Sequence, residues 1–303
     1  METWRRRRVL FLALFAPGTL WLIVFFTLPL VLIALYSVSE QGDAGETILS
    51  FTSENYLRAF DWVTLGILWK SFWIAGAVTV VCLVMGFPLA LGIAFAPRAW
   101  KTPLLALVAL PFWTNLLIRT YAWIAVLRTK GHLNNALEWV HAQAAGALSA
   151  LGWPDALGPF APLELLYNDW AVIIALVHIH LPFMVLPLYA VLEKLDRAHL
   201  EASLDLGAGH WRTFRSVVVP LSKPGLVTGT VLVFILALGN FVAADLLGGS
   251  DSMMIGNLIA QQFGASSDWP YGSALSLLLL YATFLFLWLR AFGHKRRGGL
   301  APA

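Results

Sequence analysis

The chain has 303 residues, of which 59% are hydrophobic and only 12% charged, with a mean hydropathy of +0.75 and a formal charge of +3. So apolar a composition excludes an ordinary soluble domain and implies lipid as the solvent. One crossing of a hydrocarbon core of roughly 30 Å uses about 20 apolar residues, so the length holds several spans and their loops but no large soluble module. Cys82, the single cysteine, lies inside an apolar run, which excludes an intramolecular disulfide.

Six apolar segments follow in chain order, at about 9–36, 71–95, 103–127, 170–192, 225–247 and 273–292, each long enough to span. Arg5 to Arg8 precede the first, but its apolar run exceeds a signal core and lacks a small-x-small cleavage site, so it reads as a retained anchor. Of the 20 Lys and Arg residues, all but Arg58, Lys70, Arg119, Arg128 and Lys130 fall at the N-terminus, the 2–3 turn, the 4–5 loop or the C-terminus. Basic residues concentrate on the cytoplasmic side, so both termini are expected there. The opposite loops collect Glu40, Asp43, Glu46, Glu54, Asp61, Glu138, Asp155, Glu164, Asp169, Asp251 and Asp268, with Trp62, Trp69, Trp153, Trp170 and Trp269 beside the spans like a headgroup belt. The outer loop 128–169 predicts a short amphipathic helix followed by irregular, Ala/Gly/Pro-rich chain.

Within the spans, Gly86, Ala90 and Ala94, and again Gly225 and Gly229, recur at a four-residue spacing that lets helix backbones approach closely. Pro17, Pro29, Pro88, Pro111, Pro182 and Pro187 predict the kinked or broken helices of a transporter, which a plain anchor does not need.

The inner loop 193–224 is charged and patterned. A short amphipathic helix over Leu200–Leu206 is predicted to end at Gly207, and a second helix to run until Pro220 stops it. Trp211, Phe214 and Arg215 would then place aromatic surface and positive charge on a cytoplasmic face, as a protein-binding surface does. The order Glu201-Ala202-Ser203, three residues, Gly207, nine residues, Val217-Val218-Val219-Pro220 resembles the EAA signature of ABC importer permeases, with Ser203, Val217 and Val219 as conservative replacements. That resemblance implies an all-α integral membrane protein of type I ABC importer permease architecture: six transmembrane helices and cytoplasmic coupling helices in a single permease domain, residues 1–303. It implies that Glu201, Ala202 and Gly207 form the surface that docks on an ATP-binding subunit, with Ser203, Asp205, Trp211, Phe214, Arg215 and Pro220 in the same loop. It further implies a bacterial inner-membrane location, a second permease subunit, two ATPase subunits and an extracytoplasmic binding protein. ATP and its magnesium would sit on the ATPase, with no cofactor on this chain.

Further stretches are similar to the first permease of spermidine/putrescine importers. They are Leu110-Pro111-Phe112-Trp113-Thr114-Asn115 with Ile118-Arg119-Thr120-Tyr121-Ala122-Trp123, then Glu193-Lys194-Leu195-Asp196, Gly239-Asn240-Phe241, Asp245 to Gly249, Met254 to Ile259 and Asp268 to Gly272. Polyamines are the cargo this implies; ferric iron or an oxyanion is the alternative within the same permease role.

An ionisable side chain inside a span is a functional candidate by default, and Arg119 is the clearest. One reading pairs it with Asp245 as a structural charge, since an unpaired buried charge costs several kcal/mol. The other uses the 3, 4 and 4 spacing of Phe112, Asn115, Arg119 and Trp123, which puts an amide, a cation and two rings on one helical face. Arg119 is taken as the structural charge and Phe112, Asn115, Trp123, Asn240 and Asp245 as the expected substrate pathway, so Asp245→Asn is expected to cut spermidine uptake. His178 and His180 point to nearly opposed faces and read as core histidines; no Walker loop, metal cluster or Ser/His/Asp grouping stands out. A secondary transporter, the competing class, has no use for the loop Glu201–Pro220.

Overall fold

The computed structural model describes residues 8–42, 46–153, 157–249 and 252–297. Arg5, Arg6, Arg7, Asp43, Asp155 and Asp251 lie outside the described residues, as do the side chains of Arg8, Arg197, Arg290, Lys295, Arg296 and Arg297. The chain is helical, with one addition to the all-α expectation: a two-stranded antiparallel hairpin, Glu40–Gln41 (β1) with Thr47–Ile48 (β2). Two compact units form, residues 1–65 with 258–303, and residues 66–257.

In the first unit, Arg8–Leu22 (α1) passes through a π turn, Ile23–Thr27, into Leu28–Ser37 (α2), and then Glu54–Ala59 (α3) follows the hairpin. The π turn sits just ahead of Pro29, whose ring and missing N–H disturb the ordinary helical ladder. Among its described side chains, Phe11, Leu14, Phe15, Leu20, Trp21 and Leu22 of α1 are all exposed, the pattern of a helix solvated by lipid. The last helix, Trp269–Arg297 (α14), packs against α2 and α3. Arg58 of α3 makes a 2.9 Å ion pair with buried Asp268 and lies 4.3 Å over the ring of Tyr271, whose hydroxyl meets Thr64 Oγ1 at 2.9 Å. Asn55 Nδ2 donates to the carbonyls of Ser37 and Ser39, tying α3 to the end of α2.

Trp62–Phe95 (α4) leads from the first unit into the second, where Arg98–Ala109 (α5), Leu116–Leu127 (α6), His132–Ala150 (α7), Asp169–Leu192 (α8), Arg197–Asp205 (α9), His210–Thr213 (α10), Val219–Leu238 (α11) and Val242–Leu247 (α12) follow. Ile255–Phe263 (α13) leads back toward the first unit. Helix α8 is the core, with Ala175, Leu176, Met184, Val185 and Leu188 fully buried. It packs along α11, and the predicted small residues are where the two backbones meet. A Cβ on Gly225 would stand 2.7 Å from the Pro187 carbonyl oxygen, and one on Gly229 would stand 2.8 Å from Met184 Sδ. Close approach of this kind is how helices associate when lipid is as apolar as their side chains.

Among the described residues, five helices are long and apolar enough to cross a membrane, and a sixth is obtained if one bent pair counts as a span. That bent pair corrects the third predicted span: residues 98–113 and 116–150 meet at 93°. The fifth is corrected too, since its helix ends at Leu238, and residues 242–247 form the separate helix α12.

Candidate functional site

Both corrections have local causes. A 3₁₀ turn, Leu110–Trp113, carries Pro111 in its first turn, and Thr114 and Asn115 then adopt extended backbone. Asn115 Oδ1 accepts the N–H of Leu117 at 2.8 Å, so the residue expected to display an amide along a helical face instead caps the start of α6. In the second break Gly239 closes α11, and Asn240 Oδ1 accepts the N–H of Ala243 at 3.1 Å, capping the first turn of α12. Asn257 Nδ2 holds the Phe241 carbonyl at 2.9 Å, fixing the interrupted backbone from the side.

The two breaks face one cavity of about 380 Å³ between α6, α8 and α11. Phe112 and Arg119 enter it from the first break, His180 and Phe183 from α8, and Asn240 and Phe241 from the second, with aliphatic Leu116, Ile179, Leu236 and Val242 between them. The Phe112 and Phe183 rings lie 4.9 Å apart and those of His180 and Phe183 6.2 Å. His180 Nδ1 lies 2.9 Å from the Leu176 carbonyl; a carbonyl only accepts, so Nδ1 carries a proton, and in the neutral ring Nε2 is an acceptor. The carbonyl end of α11, which carries negative partial charge, abuts the same space through Leu236 and Gly239.

The single face predicted from Phe112, Asn115, Arg119 and Trp123 does not exist, because the break separates the first two from the last two. Phe112, Arg119 and Asn240 do converge on the cavity. Asn115 stays outside as a cap, and Trp123 donates from Nε1 to His178 Nδ1 at 3.2 Å, away from the lining. Asp245 is exposed on α12. The Arg119–Asp245 pair is not formed: among the described residues the ion pairs are Arg58–Asp268, Lys70–Asp169 and Lys101–Glu193. Arg119 Nη2 donates to the Thr114 carbonyl at 3.3 Å, while Nε and Nη1 are buried with no hydrogen-bond partner among the described residues. His180 and Phe183 were missed. Their three-residue spacing on one helix was the available signal, but a histidine between apolar residues reads equally as core.

The inner loop forms a second candidate surface. Asp196 Oδ1 caps α9 through the N–H of Ala198 at 3.0 Å. At the far end Gly207 takes φ +80°, and its N–H and that of Ala208 bond to the carbonyls of Leu204 and Ser203, closing the helix as expected. Ser203 Oγ meets Thr213 Oγ1 at 3.0 Å, fixing α9 on α10. Pro220 does not end the second helix, contrary to expectation. A π turn, Phe214–Val218, opens the ladder ahead of it, and the helix continues as α11 to Leu238. The loop from His210 onward is thus continuous with a spanning helix. Glu201, Ala202, Asp205 and Arg215 are exposed, and Leu206 and Trp211 are 88% and 74% exposed. Phe214 stacks on Trp211 (5.4 Å) and sits edge-on to Phe87 of α4 (5.5 Å), linking the surface to a second spanning helix. Nearby, Lys101 Nζ lies 3.5 Å from Glu193, whose carboxyl is held below the usual range mainly by the Tyr189 hydroxyl, with the Lys101 charge adding to it.

The family model described as "Binding-protein-dependent transport system inner membrane component" matches residues 13–298. The chain belongs to this family. It is an ABC importer permease, a transport subunit of the inner membrane. It is 40% identical over 267 residues to the spermidine/putrescine transport system permease protein PotB of Escherichia coli K12, covering 88% of this chain and 91% of that one. It is 31% identical over 224 residues to the molybdenum transport system permease protein ModB of Azotobacter vinelandii, covering 74% and 90%. Its fold matches a permease chain in the crystal structure of a bacterial alginate ABC transporter in complex with an alginate-bound periplasmic protein. There the TM-score is 0.71 at 15% identity, covering 98% of each chain.

Proposed function

We propose that this permease forms half of the translocation pathway of a polyamine importer, with spermidine and putrescine as cargo. The observation that carries the reading is the cavity at the two helix breaks, which pairs three phenylalanine rings with the carbonyl end of α11. A polyamine is a flexible hydrocarbon chain between ammonium groups. Its methylenes suit the rings and aliphatic walls, and its ammonium groups suit ring faces, His180 Nε2 and backbone carbonyls. The 40% identity to PotB supports the same cargo. In this reading the loop Glu201–Pro220 docks on one of two ATPase subunits, which bind ATP and magnesium, and a second permease completes the pathway. An extracytoplasmic binding protein delivers substrate, and both chain termini are cytoplasmic.

Arg119 favours a second reading, an oxyanion, because a guanidinium with unmatched donors lines the same cavity and ModB is a relative. Uptake of labelled spermidine and putrescine in a strain lacking its own importers separates the two. Saturable, ATP-dependent polyamine uptake is expected when the chain and its partner subunits are supplied. Accumulation of molybdate without polyamine uptake would overturn the polyamine reading in favour of the second.

A further inference from the structure

Helix α7 carries two stripes of side chains, and only one of them is covered. Asn134, Leu137, His141, Ala145 and Leu148 recur at three- and four-residue spacing and are buried or half-buried. Asn134 makes a two-way bond with the Leu163 backbone (both 2.9 Å), and the ring of His141 lies 5.6 Å from that of Phe160. Beside this stripe, Leu133, Ala136, Val140, Ala144, Ala147 and Leu151 repeat the same spacing, and every one is exposed, Val140 to 54% and Leu151 to 74%. The stripe holds no charged side chain, and exposed Gln143 lies along its edge. The opposite face carries Asn135, Glu138 and Ser149.

What covers the exposed stripe follows from direction and charge. The limbs 98–113 and 116–150 meet at 93°, so both cannot run along the membrane normal. In the turn that joins α6 to α7, Arg128 and Lys130 are exposed, placing two cations where lipid phosphates lie. Trp139 and Trp153 are also exposed, at 65% and 66%, the residue type that settles at the headgroup level. A helix with one aliphatic face, a polar face opposite and cations at its start is the kind that lies in a bilayer surface.

We propose that α7 is a membrane-surface helix whose Leu133–Val140–Leu151 stripe is buried in the acyl chains of one leaflet. This holds whatever the cargo. Cys82 is fully buried, so on this chain nitroxide labels attach only to introduced thiols, and the partner subunits are supplied without accessible cysteines. In the assembled transporter in lipid nanodiscs, V140C and A147C are compared with E138C and S149C by collision with oxygen and with a water-soluble nickel chelate. A144C and A136C on the same stripe replace any variant that fails to assemble. The expected result is an oxygen-to-nickel ratio severalfold higher at the stripe positions than at 138 and 149. Equal nickel access at both sets would mean that the stripe faces water, and protection of the stripe from both agents would mean that a protein surface covers it. Either result overturns the proposal.

Discussion

Phe183 touches both sides of the cavity's chemistry, its ring close to Phe112 across the first break and to His180 one turn back on α8. Removing one ring forfeits about 0.5–2 kcal/mol of cation–π and contact energy. Phe183→Ala is therefore expected to lower the kcat/KM of spermidine uptake by about 2- to 30-fold, with the amount of assembled complex unchanged on purification. Arg119 is a sharper probe, because it brings a guanidinium with two unmatched nitrogens, Nε and Nη1, to the same cavity. If a cation is the cargo, Arg119→Gln keeps or raises uptake, since it removes a like charge from the path; if an oxyanion is the cargo, uptake falls at least about tenfold. Labelled uptake by the variant checks both. Arg119 was legible in the sequence as a lone charge in an apolar run, and so was Asn240 as a polar residue beside a glycine. That Arg119 shares a cavity with His180 and Phe183 was not legible, because those residues lie some sixty positions away and nothing in their spacing refers to one another.

The α8–α11 contact depends on two glycines that differ in what they meet. At Gly225 an added methyl would strike backbone, the Pro187 carbonyl oxygen at 2.7 Å; at Gly229 its nearest contact is the flexible end of Met184, though that residue's backbone oxygen lies 3.2 Å away. Gly225→Ala is thus expected to cost more than Gly229→Ala, by about 1–3 kcal/mol in the manner of an overpacked core. Thermal unfolding of the purified transporter checks the order. This contact was legible as small residues at four-residue spacing, although the partner helix was not. The helix breaks were half legible. Pro111 and Gly239-Asn240 marked the places, but proline inside an apolar run signals a kink and a full break equally, and Pro220 shows the converse, a proline that a π turn absorbs without ending the helix.

At the scale of the whole molecule, α10, the π turn and α11 form one continuous helical run, His210–Leu238, whose far end abuts the cavity. Exposed Leu206 and Trp211 are the apolar anchors such a surface offers a partner. Leu206→Glu combined with Trp211→Glu is expected to abolish co-purification of the ATPase subunit while the chain remains in the membrane fraction; retained ATPase would mean that docking uses another face. Membrane class and most of the spans followed from composition and hydropathy, which are sums over the chain and need no contacts. The two short helices of the loop 193–224 and the turn at Gly207 followed from fixed local offsets, since a capped helix, a glycine turn and a second helix are built from near neighbours. Which faces of the spans pack and which line a cavity came only with the folded arrangement. The physical reason is that lipid and protein interior are equally apolar: a side chain that faces tails and one that faces a neighbouring helix are written with the same residues, and hydrophobic period, the signal that separates inside from outside in water, carries little information here.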